Sequence, residues 1–202
     1  MVERQLRRRG IADERVLAAM GAIPRELFLP GPQRSRAYRD GAVRIGEGQT
    51  MSQPWIVARM TELLELRGTE TVLEVGTGSG YGAAVLAQLA KRVLTIERFE
   101  SLAAAAREAL AELGADNVEV RVGDGARGAP DAAPFGGISV TAAAQGGPPP
   151  ALVEQLAAGG ALVCPVERDG GEVLIRFRDG VEEPVVGVRF VPLVENGEPP
   201  GA

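Results

Sequence analysis

The sequence predicts an α/β protein with a doubly wound, mainly parallel sheet, an antiparallel edge and an N-terminal helical extension. Three observations carry this prediction. Strand and helix patterns alternate after Gly68, which is typical of a parallel sheet wound with helices. The last strand patterns follow one another without helices between them, which indicates an antiparallel edge. Residues 1–66 instead carry helical spacing, so we expect them to pack on the sheet as an extension.

The N-terminal extension, residues 1–66, is expected to contain helices on either side of a loop. The apolar residues of "RVLAAM" have helical spacing, and the three prolines of "IPRELFLPGP" end that pattern. Residues 31–53 are rich in glycine and are predicted to be a loop. The amphipathic stretch "WIVARMTELLEL" predicts a second helix, with Pro54 near its first position, where a missing N–H costs nothing.

The α/β core is predicted to span residues 68–194, followed by a flexible tail at 195–202. Its strands are predicted at "TVLEVG", "RVLTIE", "VEVRVGD", "GGISVTAA", "ALVCPV", "EVLIRFR" and "VVGVRFVPL". Its helices are predicted at "YGAAVLAQLA", "ESLAAAAREALAELG" and "PALVEQLAAGG". We expect residues 1–194 to form one domain, because a chain of 202 residues is long enough for one sizeable core.

The composition excludes several kinds of chemistry. The chain has no histidine, which excludes Ser-His-Asp and Cys-His catalysis and histidine-ligated zinc. Its one cysteine, Cys164, cannot form an internal disulfide or a cysteine metal cluster, so no metal is expected. The net charge of −5 argues against a nucleic-acid partner. No apolar run approaches the roughly 20 residues that span a bilayer, and no apolar segment follows the basic N-terminus. We therefore expect a cytoplasmic protein without a membrane partner, and a monomer.

The stretch "EVGTGSG", residues 74–80, predicts a nucleotide-binding turn between a strand and a helix. Such a turn aims the N–H groups of a helix N-terminus at a ligand. Read from Gly76, the pattern is G-x-G-x-G, with Tyr81 where the dinucleotide fingerprint has its third glycine. Glu74 can accept hydrogen bonds from loop N–H groups and lie near a cation, which favours S-adenosylmethionine over a dinucleotide, the alternative. The cofactor-binding residues expected here are Glu74, Gly76, Thr77, Gly78, Ser79 and Gly80.

Two further acids follow the next two predicted strands. Glu97 ends the second strand, where an acid accepts from ribose hydroxyls in either cofactor class. Asp124 and Gly125 follow the third strand, which places the acid for the adenine amine. A purely structural alternative is that the turn packs a helix on a strand while Glu97 and Asp124 act as caps. Three acids at consecutive strand ends, all on one edge of the sheet, favour binding over this alternative.

The chain resembles the protein-L-isoaspartate O-methyltransferase family, from "MVERQLRRRGI" to "VRFVPL". The blocks that carry the resemblance are "AYRDGAVRIGEGQTMSQPWIVARMTELL", "VLEVGTGSGYGAAVLAQL", "NVEVRVGDG", "APFGGISVTAAA" and "VRFVPL". The resemblance implies a Rossmann-like methyltransferase sheet and S-adenosylmethionine as cofactor. It also implies methyl transfer to the α-carboxylate of L-isoaspartyl residues in damaged proteins and peptides, which starts their repair through succinimide to aspartate.

The block "GQTMSQP" is the most specific part of the resemblance, which implies that Ser52 is the catalytic residue. A carboxylate is already ionised near neutral pH, so it needs no base to become a nucleophile, which suits a chain without histidine. Ser52 and Thr50 can hold a carboxylate by hydrogen bonds; the alternative is that they cap the helix that begins near Trp55. The substrate-binding residues expected besides Ser52 are Thr50, Gln53, Thr141 and Ala142.

One segment departs from the family pattern, and two other functions stay open. In "PFGGISV", Gly136 and Gly137 stand where the family has an acid and a small residue, and two glycines weaken a central strand. The same site would serve a dedicated enzyme that methylates one aspartate of a partner peptide. A non-catalytic S-adenosylmethionine-binding module is the other alternative.

Overall fold

The computed structural model describes residues 1–194, in which two sheets and five α-helices are present. The predicted tail, 195–202, lies outside the described residues. The strands are β1 Val43–Gly46, β2 Gln49–Met51, β3 Thr71–Val75, β4 Arg92–Glu97, β5 Val118–Val122, β6 Phe135–Val140, β7 Ala144–Gln145, β8 Leu156–Arg168, β9 Gly171–Arg178 and β10 Val181–Val188. The α-helices are α1 Glu14–Ala22, α2 Pro54–Leu63, α3 Tyr81–Ala87, α4 Glu100–Leu113 and α5 Pro150–Val153.

The main sheet has the strand order β10-β9-β8-β6-β3-β4-β5, with β7 paired to β8 outside this path. The pairs from β5 to β8 are parallel, whereas β8, β9 and β10 pair antiparallel. The order reverses between β3 and β6, which is where α/β sheets open a crevice for ligands. The predicted fold class is confirmed, including its antiparallel edge.

The central strands are apolar on both faces because each face is covered. Val72 and Val93 face a core built with α3 and the N-terminal extension. Leu73 and Leu94 face a second core on the opposite side of the sheet. Burial on both faces explains why these strands read as continuous apolar runs rather than as alternating patterns. Among residues 1–194, no helix is long and apolar enough to cross a membrane.

The N-terminal extension has the two predicted helices, and the segment between them is more ordered than expected. Asp13 caps α1 by accepting a hydrogen bond from Arg15 N, and Pro54 stands in the first turn of α2, as predicted. The prediction of a loop over residues 31–53 is wrong in part, because β1 and β2 form an antiparallel hairpin there. Glu47 and Gly48 both have positive φ angles and make its two-residue turn.

Three predicted boundaries in the core are also wrong. The helix predicted over "PALVEQLAAGG" ends at Val153, and the rest of that stretch begins β8, where Leu156 pairs with Phe135. The last strand ends at Val188, so "RFVPL" lies beyond it. The helix α3 ends at Ala87, three residues before the predicted end.

At Gly136 and Gly137 of β6, neighbouring side chains leave little room for a side chain. A Cβ at Gly136 would collide with the Glu70 side chain, and one at Gly137 would lie 3.2 Å from Leu66 Cδ2. The Glu70 carboxylate in turn accepts hydrogen bonds from the N–H groups of residues 67–69. The departure at "PFGGISV" is therefore matched by the packing of the segment that leads into β3.

Candidate active site

The glycine-rich turn follows β3 and is held by backbone hydrogen bonds. Gly76 N and Thr77 N both point at Ile96 O, at 2.8 and 3.3 Å, and Gly80 N donates to Thr77 O at 2.8 Å. Gly76 has a φ of 91°, and a Cβ there would collide with the Thr141 hydroxyl. Only glycine combines that backbone angle with so close an approach. The turn thus brings backbone to the carboxyl edge of the sheet, where a ligand can approach it.

Glu97, at the end of β4, organises this turn. Its Oε2 accepts a hydrogen bond from Gly78 N at 2.8 Å. Its Oε1 accepts from the N–H groups of Arg98 and Phe99, at 2.9 and 3.1 Å. The carboxylate is nearly buried and lines the main cavity, so it can present its remaining lone pairs to hydroxyl groups of a ligand.

Glu74 lies deeper and has a different set of partners. Thr95 Oγ1 donates to Glu74 Oε2 at 2.7 Å, and since a hydroxyl has one hydrogen, Thr77 Oγ1 donates to Thr95 at 2.7 Å. The sequence-based expectation that loop N–H groups donate to Glu74 is wrong among the described residues, because that role falls to Glu97. Burial raises the pKa of Glu74 to about 8, with a further contribution from the nearby Glu97 charge.

Asp124 has a buried oxygen without a hydrogen-bond partner. Its Oδ1 accepts from Ala126 N at 3.0 Å and caps the short turn after β5. Its Oδ2 is buried and has no hydrogen-bond partner among residues 1–194, although Arg127 Nε lies 3.4 Å away. The neighbouring Gly125 approaches β3 so closely that a Cβ would collide with Val75. A buried acceptor that has only this long ion-pair contact, beside a closely packed glycine, can accept a hydrogen bond from a ligand amine.

The segment with Ser52 connects the β1–β2 hairpin to α2. Gln53 is the N-cap residue of α2, and no side chain caps this helix. The alternative that Ser52 or Thr50 caps α2 is therefore wrong, and the Ser52 hydroxyl has no hydrogen bond within the described chain. Gln53 Nε2 donates to Asp40 Oδ1 at 2.6 Å, which fixes this segment on the extension.

Thr141 and Ala142 follow β6 at the same edge. The Thr141 hydroxyl lies 3.0 Å from Val75 O and 2.8 Å from Gly76 O, so it joins β6 to the glycine-rich turn. The next residue, Ala143, exchanges backbone hydrogen bonds with Val191 O and Leu193 N, at 2.8 and 2.7 Å. These bonds bring the segment after β10 to the edge of the site.

Residues from each of these segments line one cavity of about 1270 Å³. Among the described residues, the lining includes every predicted site residue except Gly80. Gly80 instead packs on α4, where its Cβ would lie 3.2 Å from Ala106 Cβ. The sequence analysis missed lining residues such as Tyr81, Phe99, Arg189 and Phe190. Phe99, two residues after Glu97, could have been found from that position, whereas the segment after β10 has no periodic pattern.

A family model described as "Protein-L-isoaspartate(D-aspartate) O-methyltransferase (PCMT)" matches residues 1–198. The chain belongs to this family. Curated relatives of the same name include proteins from Methanoculleus marisnigri, 53% identical over 96% of this chain and 90% of its own length, and from Roseiflexus castenholzii, 52% identical over 93% and 87%. A solved protein-L-isoaspartate O-methyltransferase has a TM-score of 0.85 at 29% identity and covers 97% of this chain and 67% of its own.

The family identity decides between the two cofactor classes. A Plasmodium falciparum member of the family, in complex with S-adenosyl-L-homocysteine, has a TM-score of 0.81 at 27% identity, over 94% of this chain and 95% of its own. The family uses S-adenosylmethionine, so the prediction of this cofactor is confirmed and the dinucleotide alternative is wrong. The prediction of an S-adenosylmethionine-dependent protein-L-isoaspartate O-methyltransferase is confirmed by the same relatives over the two alternative functions. The site fits the cofactor, because Asp124 Oδ2 is buried without a hydrogen-bond partner and Gly76 and Gly125 leave no room for side chains.

Proposed function

We propose that this protein methylates the α-carboxylate of L-isoaspartyl residues in damaged proteins and peptides, with Ser52 as the residue that orients the carboxylate. The observation that carries this proposal is that the Ser52 segment and the cofactor turn line one cavity. Ligand pockets usually measure about 300–1,000 Å³, so a cavity of about 1270 Å³ has room for a cofactor and part of a peptide.

Specific groups of the site would hold the cofactor. We assign the ribose hydroxyls to Glu97, the adenine amine to Asp124 Oδ2, and the amino-acid part to the turn of residues 76–79. When bound, S-adenosylmethionine would supply a methyl group on a positively charged sulfur; transfer of this methyl group to a carboxylate oxygen turns the sulfonium into a neutral thioether. Since the carboxylate is already ionised, the chain's residues need to position it rather than to remove a proton.

The substrate is held, in this proposal, by hydrogen-bond donors that do not titrate near neutral pH. The Ser52 hydroxyl can donate to the carboxylate because it caps no helix and has no other partner within residues 1–194. Thr50, Gln53, Thr141 and Ala142 line the same cavity as Ser52. The methoxy group of the methyl ester leaves far more readily than an oxygen of the carboxylate, so the neighbouring amide nitrogen can attack the ester carbonyl, lose its proton, expel methanol and close a succinimide. Hydrolysis of the succinimide returns part of the material to aspartate.

The domain organisation, the oligomeric state, the kinds of partner and the compartment stay predictions. We propose that residues 1–194 act as a single domain and a monomer. We propose proteins and peptides as its only macromolecular partners, without nucleic acid or membranes; the net charge of −5 supports the first exclusion. The cytoplasm is the proposed compartment.

The role of Ser52 is tested by the substitution Ser52→Ala. We expect turnover of an isoaspartyl peptide to fall by well over about tenfold, because the carboxylate loses its orienting donor. The affinity for S-adenosylhomocysteine, measured by calorimetry, and the melting temperature should stay nearly unchanged. The matched control is Ser35→Ala, an exposed serine outside the cavity lining, which should change none of the three quantities. Unchanged turnover in Ser52→Ala would end the catalytic assignment.

A further inference from the structure

Arg25 is a fully buried charge, 0% exposed, in a short 3₁₀ turn of the N-terminal extension. Among the described residues, no carboxylate forms an ion pair with it. Burial lowers the pKa of its guanidinium, and the nearby Tyr81 opposes that effect. Burying a charge without a counter-ion destabilises the folded state. The contacts of Arg25 therefore indicate which part of the structure this residue serves.

The guanidinium of Arg25 contacts three different elements. Its Nε donates to Ala37 O at 2.8 Å, and its Nη2 donates to Ser52 O at 3.0 Å. Its central carbon lies 4.4 Å from the centroid of the Tyr81 ring, which is a cation–π geometry. Its Nη1 has no hydrogen-bond partner among residues 1–194. The second hydrogen bond holds the main chain of Ser52 itself.

Tyr81 relates this contact to the cofactor. It is the first residue of α3, directly after the glycine-rich turn, and it lines the cavity. Phe28, from the same 3₁₀ turn as Arg25, packs on the Tyr81 ring edge-to-face, with centroids 5.7 Å apart. Arg25 thus lies between the helix that begins at the cofactor turn and the segment that carries the Ser52 hydroxyl. It is not among the residues that line the cavity.

We propose that Arg25 is a positioning residue for methyl transfer, which fixes the Ser52 segment against α3 through the Ser52 carbonyl and the Tyr81 ring. The proposal rests on the proposed role of Ser52. The segment between Met51 and Pro54 is only two residues long, and proline has no N–H to donate. Its other bonds, from Gln53 to Asp40 and from Val57 N to Gln53 O, hold Gln53, whereas Arg25 holds Ser52 itself. The planar guanidinium of arginine can donate from two nitrogens to two carbonyl oxygens at once. Lysine has a single side-chain nitrogen, so it is less able to reach both carbonyls.

The test compares Arg25→Met and Arg25→Lys with two controls. Leu17→Ala removes a buried side chain of the same extension, and Arg34→Met removes an exposed arginine whose Nε donates to Leu29 O. In Arg25→Met we expect amide hydrogen exchange of residues 49–53 to speed up by at least about tenfold, because the segment loses its anchor. Turnover of an isoaspartyl peptide should fall by at least about tenfold, whereas the dissociation constant of S-adenosylhomocysteine should change by less than about threefold. Neither control should show this combination.

The exchange measurement separates this inference from the proposed function. It needs no substrate, so it reports on the Arg25 anchor even if Ser52→Ala keeps full turnover and the proposed function fails. The inference is overturned if exchange of residues 49–53 is unchanged, if Leu17→Ala speeds it equally, or if S-adenosylhomocysteine affinity falls by the same factor as turnover. Should Arg25→Met not fold, Arg25→Lys gives the same readouts with the charge retained, and wild-type exchange in that variant overturns the inference.

Discussion

Replacing Glu74 by glutamine should make the ligand-free protein less sensitive to pH. Glu74 is 2% exposed, and its pKa is raised by burial from an ordinary 4.5 to about 8. In the unfolded chain the carboxyl ionises near its ordinary value, so between these two values the folded state binds more protons than the unfolded state. The wild-type protein therefore loses stability as the pH rises through this window.

The size of the effect follows from the same two pKa values. A tenfold change in an acid dissociation constant corresponds to about 1.4 kcal/mol, so the full gap is worth roughly 5 kcal/mol, of which about 3 to 4 kcal/mol develops between pH 5 and pH 8. Glutamine has nearly the same shape and does not ionise. The stability of Glu74→Gln relative to the wild type should therefore rise by about 3 to 4 kcal/mol between pH 5 and pH 8. Any effect of the amide itself adds a constant that does not depend on pH.

The assay is urea denaturation of the wild type and of Glu74→Gln at several pH values, without ligand. The matched control is Glu70→Gln. Burial alone would raise the pKa of Glu70, but its hydrogen bonds from backbone N–H groups outweigh burial and lower that pKa. The difference in unfolding free energy between wild type and Glu70→Gln should therefore stay constant above pH 5. A constant difference between wild type and Glu74→Gln from pH 5 to pH 8 would refute the reasoning, because Glu74 would then ionise normally.

Two further predictions concern the turn after β5. Asp124→Asn should weaken S-adenosylhomocysteine binding by about tenfold or more in calorimetry, because one amide oxygen must replace two carboxylate oxygens, and a charged hydrogen bond is worth about 1.5–3 kcal/mol; unchanged affinity would contradict the adenine assignment. Gln155 holds the far end of this turn by accepting from Ala129 N and donating to Arg127 O, both at 2.8 Å. Gln155→Leu should lower the free energy of unfolding, measured by urea denaturation, by about 1–3 kcal/mol, because Ala129 N and Arg127 O both lose their hydrogen-bond partner. It should also weaken the binding of S-adenosylhomocysteine. Lower stability with unchanged affinity would show that the turn does not need this anchor.

The cofactor half of the site could be predicted because it depends on local patterns. The strand predicted over "RVLTIE" and the helix closed by Gly114 have the expected bounds, and Gly114 has the positive φ of a helix C-terminus. Parallel strands end at one edge of the sheet, so acids at strand ends necessarily come together there. The positions of Glu97 and Asp124 followed from this rule alone.

The parts that were missed depend on tertiary contacts or on a turn that was overlooked. The apolar residues of "PALVEQLAAGG" suit a helix, but β8 begins within this stretch because Leu156 pairs with Phe135. The β1–β2 hairpin could have been found, since Glu47 and Gly48 form a two-residue turn between short strands. Nothing in the sequence around Arg25 indicates burial, because charged residues are almost never fully buried and only the folded chain shows its partners.

The central claim, methyl transfer to isoaspartyl carboxylates, is tested most directly with the wild-type protein and a matched pair of peptides. The two peptides have one sequence and differ only in an isoaspartyl or a normal aspartyl linkage, and the methyl donor carries a radiolabel. We expect label in base-labile esters of the isoaspartyl peptide alone. Label on the aspartyl peptide would instead indicate a dedicated aspartyl methyltransferase, and label on neither peptide, with S-adenosylhomocysteine still bound, would contradict the account.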